Sequence, residues 1–188
     1  NIVPALHIYL QKSNKENNAT NVMIEYSQPN THKEFHVGHG RNVCLGDSVC
    51  RIFDYAGFNV TRANYIGDEG THIAKCLWGV ENYKGTEKLE DIENKAEWLG
   101  QRYVEANNML KDVTDEQTKA KYMSEISAIL KEIENKSGKF FDLWKITRQY
   151  CLNDFNKILL FFYFYLNDFL EKKGDAFKQS PFYSGLII

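Results

Sequence analysis

Two short runs of strand formers separated by one helical repeat constrain this chain more than any other feature. The first run is Val22-Met23-Ile24-Glu25-Tyr26, and the second is residues 59–66, NVTRANYI. From Gly38 onward, Val43, Leu45, Val49, Ile52, Phe53 and Ala56 recur at helical spacing. Gly57 stands where a helix commonly ends. Residues 27–35, with Pro29, read as the loop that joins the first strand to this helix. Gly67 and Gly70 flank Asp68-Glu69 in a turn, and Thr71 or His72 opens a further helix through Leu77 and Trp78. Strand, loop, helix, strand, turn, helix is the rhythm of an α/β protein with a parallel sheet and crossover helices.

The remainder has a different texture. Residues 90–111, 114–135 and 140–157 carry helix formers, with apolar positions three and four apart and no proline. They predict two or three amphipathic helices inserted after the first βαβ unit. Residues 14–21 are polar and read as a loop or junction. The chain of 188 residues is long enough for one domain with a real core. Its start at Asn1 and its ending in Ile187-Ile188 suggest a piece of a longer protein. A net charge of -2 argues against nucleic-acid binding by bulk charge alone. The longest apolar run, ILLFFYFYL at residues 158–166, is well short of the ~20 residues that span a bilayer. Cys44, Cys50, Cys76 and Cys151 form no CxxC pair and no zinc-type cluster, so they read as free thiols, buried or half-buried, in a reducing compartment. A cytoplasmic protein with no membrane partner and no structural metal is the expectation.

The chemistry concentrates where the loop meets the first helix. A helix N-terminus offers free backbone N–H groups and a partial positive charge, which suit a phosphate. His36 and His39 are three residues apart and point toward one region near that start. Each imidazole can donate to a phosphate oxygen. Gly38 lets a ligand approach the backbone, and Lys33 adds charge upstream. The plainer alternative is a pair of capping or surface histidines.

A wider pattern accompanies His36-Val37-Gly38-His39. Residues 24–42, IEYSQPNTHKEFHVGHGRN, resemble the signature segment of the arginyl-tRNA synthetases, a class I aminoacyl-tRNA synthetase family. Leu45-Gly46-Asp47-Ser48, Arg51, Gly57-Phe58-Asn59-Val60 and residues 64–72, NYIGDEGTH, follow in the family's order. Trp98-Leu99-Gly100, Tyr103-Val104 and residues 143–150, LWKITRQY, resemble its helical region. This resemblance covers most of residues 22–158 and implies an incomplete Rossmann-like (HUP-type) parallel-sheet core with an inserted α-helical segment. The implied division is a connector at 1–21, the first half of the core at 22–85, the helical insertion at 86–157 and a divergent segment at 158–188.

The resemblance also implies roles. His36 and His39 match the ATP-binding histidines that stabilise the transition state of arginine adenylation, Gly38 matches the glycine near the adenine, and Lys33 matches a lysine near the phosphates. Glu25, Gln28 and Asn30 match positions associated with arginine binding, although Gln28 departs from the serine common there. Asp68, Gly70 and His72 match pocket-shaping residues, with special backbone angles expected at Gly67 and Gly70. The tryptophans and the YVEAN segment at 103–107 are expected in the core. ATP with Mg2+, arginine and tRNA-Arg are the implied substrates, with no DNA partner. Past Ile158 the blocks no longer match, and neither a KMSKS-like loop nor an anticodon-reading helical domain is present. The 188 residues alone are therefore expected to be inactive. A nucleotidyltransferase using HxGH on another substrate and a non-catalytic synthetase-like binding module are the competing readings.

Overall fold

The computed structural model describes residues 20–172, which divide into two compact units. The described part of the first comprises residues 20–28, His36–Ile66 and the last helix from Leu159 onward. The second comprises Pro29–Phe35 and Gly67–Ile158. Most of the expected connector at 1–21, and the segment after 172, lie outside the described residues.

In the first unit, β1 (Asn21–Glu25) pairs in parallel with β2 (Asn59–Ala63), in register from Asn21↔Asn59 to Glu25↔Ala63. Parallel strands need a crossover, and α1 (Val37–Tyr55) supplies it. Side chains alternate along β1: Val22 and Ile24 are half-buried, while Asn21, Met23 and Glu25 are exposed. Ile24 and Val60 pack against Tyr26 and Cys50. Val43, Gly46, Asp47 and Cys50 form the buried stripe of α1 at the spacing of one helix face. Residue 46 has to be glycine, because a Cβ there would lie 2.2 Å from Cγ of Tyr26. The expected helix stop is present. Gly57 has φ 86°, its N–H donates to Asp54 O, and Phe58 N–H donates to Phe53 O. These two hydrogen bonds close a Schellman motif, and the Phe53 and Phe58 rings meet edge to face at 5.3 Å.

The second strand ends at Ala63, three residues before the expected Ile66. Its partner leaves the extended conformation, with φ 74° at Ser27 and 52° at Gln28. Tyr26 N–H still donates to Ala63 O, but Gln28 N–H leaves the ladder and is shared between Tyr26 O and the Asn64 side chain, each at 3.1 Å.

The second unit is helical around one short pairing. Asn30 and Gly67 form an isolated parallel bridge, with Thr31 N–H donating to Gly67 O. Then follow α2 (Thr71–Glu81), a short 3-10 turn (Leu89–Asp91), α3 (Lys95–Asp112), α4 (Glu116–Glu134) and α5 (Lys139–Lys172). Three helices thus fill the stretch where two or three were expected. Ile73, Leu77 and Trp78 of α2, Ala106 and Leu110 of α3, and Ile126, Ile129 and Ile133 of α4 form its core. Burying each large side chain contributes about 1.5–3 kcal/mol. An exposed pair such as Lys139–Glu81 contributes about 0–1 kcal/mol, so packing decides this unit. Helix α5 runs unbroken through residues 157–158, where a segment boundary was expected. Together the described residues form an α/β fold, a small parallel sheet with helices.

The free thiols are as expected: Cys50, Cys76 and Cys151 are buried and Cys44 is half-buried. Burial pushes the Cys50 and Cys151 thiols up to about 11.

Candidate active site

The start of α1 is built by its own histidines. His36 is the N-cap, in extended conformation, and its Nδ1 accepts from Gly38 N–H at 3.1 Å. His36 N–H in turn donates to Nδ1 of His39 at 3.2 Å. This is a capping box made from two imidazoles, and the rings stack at 3.8 Å with 17° between planes. Capping and ligand binding are compatible here. With Nδ1 accepting on each ring, the proton of a neutral imidazole sits on Nε2. Each ring is thereby oriented as an Nε2–H donor at a helix N-terminus. A Cβ at Gly38 would lie 2.9 Å from the His36 ring, so glycine keeps the capping contact open.

Glu25 ends β1 with its side chain exposed, and Gln28 Nε2 donates to Glu25 Oε1 at 2.6 Å. The departure at Gln28 therefore acts as a donor that orients the Glu25 carboxylate and occupies one of its oxygens. The positive φ values at Ser27 and Gln28 are uncommon for residues with side chains and mark strain of the kind found at ligand-binding turns.

The remaining expected residues lie in the second unit. The Asn30 side chain lies over Gly67, where a Cβ would come within 2.0 Å of Asn30 Oδ1. Gly67 thus serves close approach and has no positive φ, contrary to the expectation of a special backbone angle; Gly70 meets that expectation with φ 119°. Lys33 Nζ sits 5.0 Å over the Tyr103 ring, which gives one residue of the YVEAN segment a contact with a candidate site residue. Asp68 accepts from Arg148 Nε, and its carbonyl accepts from Trp144 Nε1 at 2.7 Å. Trp78 and Trp98 are buried as expected, whereas Trp144 is half-buried and holds this loop. The His72 Nε2 is buried without a hydrogen-bond partner. Burial, and then the Lys33 charge, hold its pKa below the ordinary histidine value.

One residue escaped the sequence reading. His32 is fully buried with φ 60°, and both ring nitrogens are engaged, with Thr31 Oγ1 at 3.0 Å and Thr147 Oγ1 at 2.7 Å. Burial, reinforced by His72, lowers its pKa to about 3, so the ring is neutral. Its partners Thr147 and Cys151 lie more than a hundred residues away, and no local pattern announces them. Among the described residues, no three His, Cys, Asp or Glu side chains are grouped to hold a metal ion.

The model for tRNA synthetases class I (R), catalytic domain, matches residues 2–184. The chain belongs to this arginyl-type class I tRNA synthetase family. The match continues past Ile158, where the block-by-block resemblance had ended, and includes residues 158–184. An arginine–tRNA ligase of Bdellovibrio bacteriovorus is 44% identical over 136 residues, covering 72% of this chain and 23% of that relative. The cytoplasmic arginine–tRNA ligase of Bos taurus is 29% identical over 160 residues, covering 84% of this chain and 22% of the relative. The crystal structure of arginyl-tRNA synthetase from Plasmodium falciparum superposes with a TM-score of 0.52 at 25% identity, covering 77% of this chain and 22% of that one. The synthetase chain therefore spans about a quarter of the length of these relatives.

Proposed function

We propose that this chain supplies the ATP- and arginine-binding start of an arginine–tRNA ligase. The observation that carries this reading is the His36–His39 capping box at the first turn of α1, directly after the β1 loop, in a chain matched to the family over residues 2–184. In the proposed reaction an oxygen of the arginine carboxylate attacks the α-phosphorus of ATP. The bond to the bridging oxygen breaks, and pyrophosphate leaves with the electron pair. A hydroxyl of the terminal ribose of tRNA-Arg then attacks the carbonyl carbon of the adenylate, the ester forms, and AMP leaves with the bridging oxygen. Mg2+ enters with the nucleotide as its counter-ion.

The residue roles follow from charge. His36 and His39 donate from Nε2 to phosphate oxygens whose charge grows in the transition state, where preorganised donors are most effective. Gly38 gives the nucleotide access to the helix start. Lys33 adds positive charge close to the phosphates. Glu25, oriented by Gln28, takes a cationic group of arginine, and Asn30 hydrogen-bonds the amino acid. Asp68, Gly70 and His72 shape the pocket. The β1–α1–β2 unit is the opening of a Rossmann-like HUP core, residues 86–157 are its helical insertion, and the cytoplasm is the compartment.

The test is arginine-dependent ATP–pyrophosphate exchange by the full-length protein, with lysine and glutamine as controls. Exchange with arginine alone is expected. Exchange driven equally by all three amino acids, or by none, would overturn the reading.

A further inference from the structure

We infer that one face of α5 is the positioning element for both substrate loops. This rests on the ligase reading above and extends it to residues that touch neither substrate. Trp144, Thr147, Arg148 and Cys151 stand at i, i+3, i+4 and i+7, so they share one face of the helix. The face grips two loops through separate bonds, all within the second unit.

The first loop carries Asn30 and Lys33 and is held through His32. Thr147 Oγ1 donates to Leu143 O at 2.8 Å, so its hydroxyl proton is committed and it accepts from His32 Nε2–H. Nδ1 of the neutral ring then accepts from the Thr31 hydroxyl. His32 N–H donates to Cys151 Sγ at 3.3 Å. These bonds fix a residue with φ 60° between Asn30 and Lys33, so they set where those two side chains start. Each polar atom in this chain is buried, and losing one partner strands the next. The second loop carries Gly67 to His72 and is held through Asp68. Its carboxylate takes Arg148 Nε and its carbonyl takes Trp144 Nε1. Side chain and backbone are thus pinned at one residue, two before the glycine that caps α2.

Thr147 and Arg148 are positioning residues in this scheme. A displacement of about 1 Å in binding groups is enough to cost on the order of a hundredfold in rate. The experiment uses the full-length protein with Thr147→Val, Thr147→Ser, Arg148→Leu and Arg148→Lys, read by arginine-dependent exchange kinetics and by amide hydrogen exchange. Thr147→Val keeps the shape and removes the acceptor for His32. It is expected to lower kcat/KM for arginine roughly tenfold or more and to speed amide exchange at residues 31–35 only. Thr147→Ser restores the hydroxyl and is expected to stay within about twofold of wild type. Arg148→Leu is expected to speed amide exchange at residues 67–72 only, with partial recovery in Arg148→Lys. Equal activity of the valine and serine variants, or faster exchange spread over α2 to α4 as well, would overturn the positioning role. If the wild-type protein shows no arginine-dependent exchange, the ligase reading falls, and the two loop-specific patterns still decide the positioning.

Discussion

At the scale of single residues, the two histidines of the signature build the start of α1 with their Nδ1 atoms. Nδ1 of each ring belongs to the helix cap, so a neutral ring carries its proton on Nε2, the nitrogen that the proposed function directs at the phosphates. Removing His39 deletes a cap acceptor and, in the proposed function, a transition-state donor. His39→Ala in the full-length protein is expected to lower arginine-dependent exchange by about 10²–10³, on the order of 3–4 kcal/mol of transition-state stabilisation. Steady-state exchange kinetics check this, and a wild-type rate would remove His39 from the mechanism. His32 behaves differently because it is buried and neutral. Its folded pKa of about 3 lies below the ordinary value of 6.5, so the unfolded chain binds its proton first. Stability from this group is present above pH 6.5 and is lost as pH falls toward 3, by up to ~1.4 kcal/mol per pH unit. His72 is shifted in the same direction and adds to the trend. Urea unfolding at pH 7.5 and 5.5 should show a smaller loss in His32→Gln than in wild type.

At the scale of elements, each junction is specified by one steric or hydrogen-bonding requirement. Helix α1 approaches β1 as closely as it does because Gly46 offers no Cβ to the Tyr26 ring. Gly46→Ala is expected to destabilise the protein by about 1–3 kcal/mol, the usual cost of overpacking a close contact. Denaturant titration of the full-length protein measures it, and a neutral substitution would show that the strand and helix can separate freely. Helix α2 meets α3 by the same device, since a Cβ at Gly79 would fall 2.5 Å from the carbonyl oxygen of Arg102. The end of α1 depends instead on the left-handed Gly57 and the Phe53–Phe58 contact, and the start of α2 on Gly70.

At the scale of the whole molecule, the described residues hold a two-stranded parallel sheet and five helices, and the chain covers about a quarter of its relatives' length. Catalytic power resides mainly in preorganisation, and a partial set of site walls leaves donors unaimed. The 188 residues alone are expected to give no arginine-dependent pyrophosphate exchange above background, while the full-length protein gives it. Measurable exchange by the isolated segment would show that the β1–α1–β2 unit and its insertion already complete the site. Helix α5 is the element that most extends this picture. Its first half packs against α2, α3 and α4, yet its Thr147 and Arg148 reach the loops that carry the candidate site.

The sequence by itself determined the elements and the family. Period-two and period-3.6 patterns are local, so β1, α1, the turn at Gly57 and the three helices after α2 are legible from neighbouring residues. The ordered blocks around His36 and His39 carried the family because order and spacing survive in one dimension. Only the tertiary structure decided the rest. The strand ended at Ala63 because Ser27 and Gln28 on its partner turn to positive φ, which no propensity at residues 64–66 records. Gly67 serves the Asn30 side chain, 37 positions earlier, and not its own backbone angle. His32 looks like a solvated loop histidine until Thr147 and Cys151 arrive from α5 to bury it. In each case the deciding partner is distant in sequence, and only folding supplies the proximity that gives the residue its role.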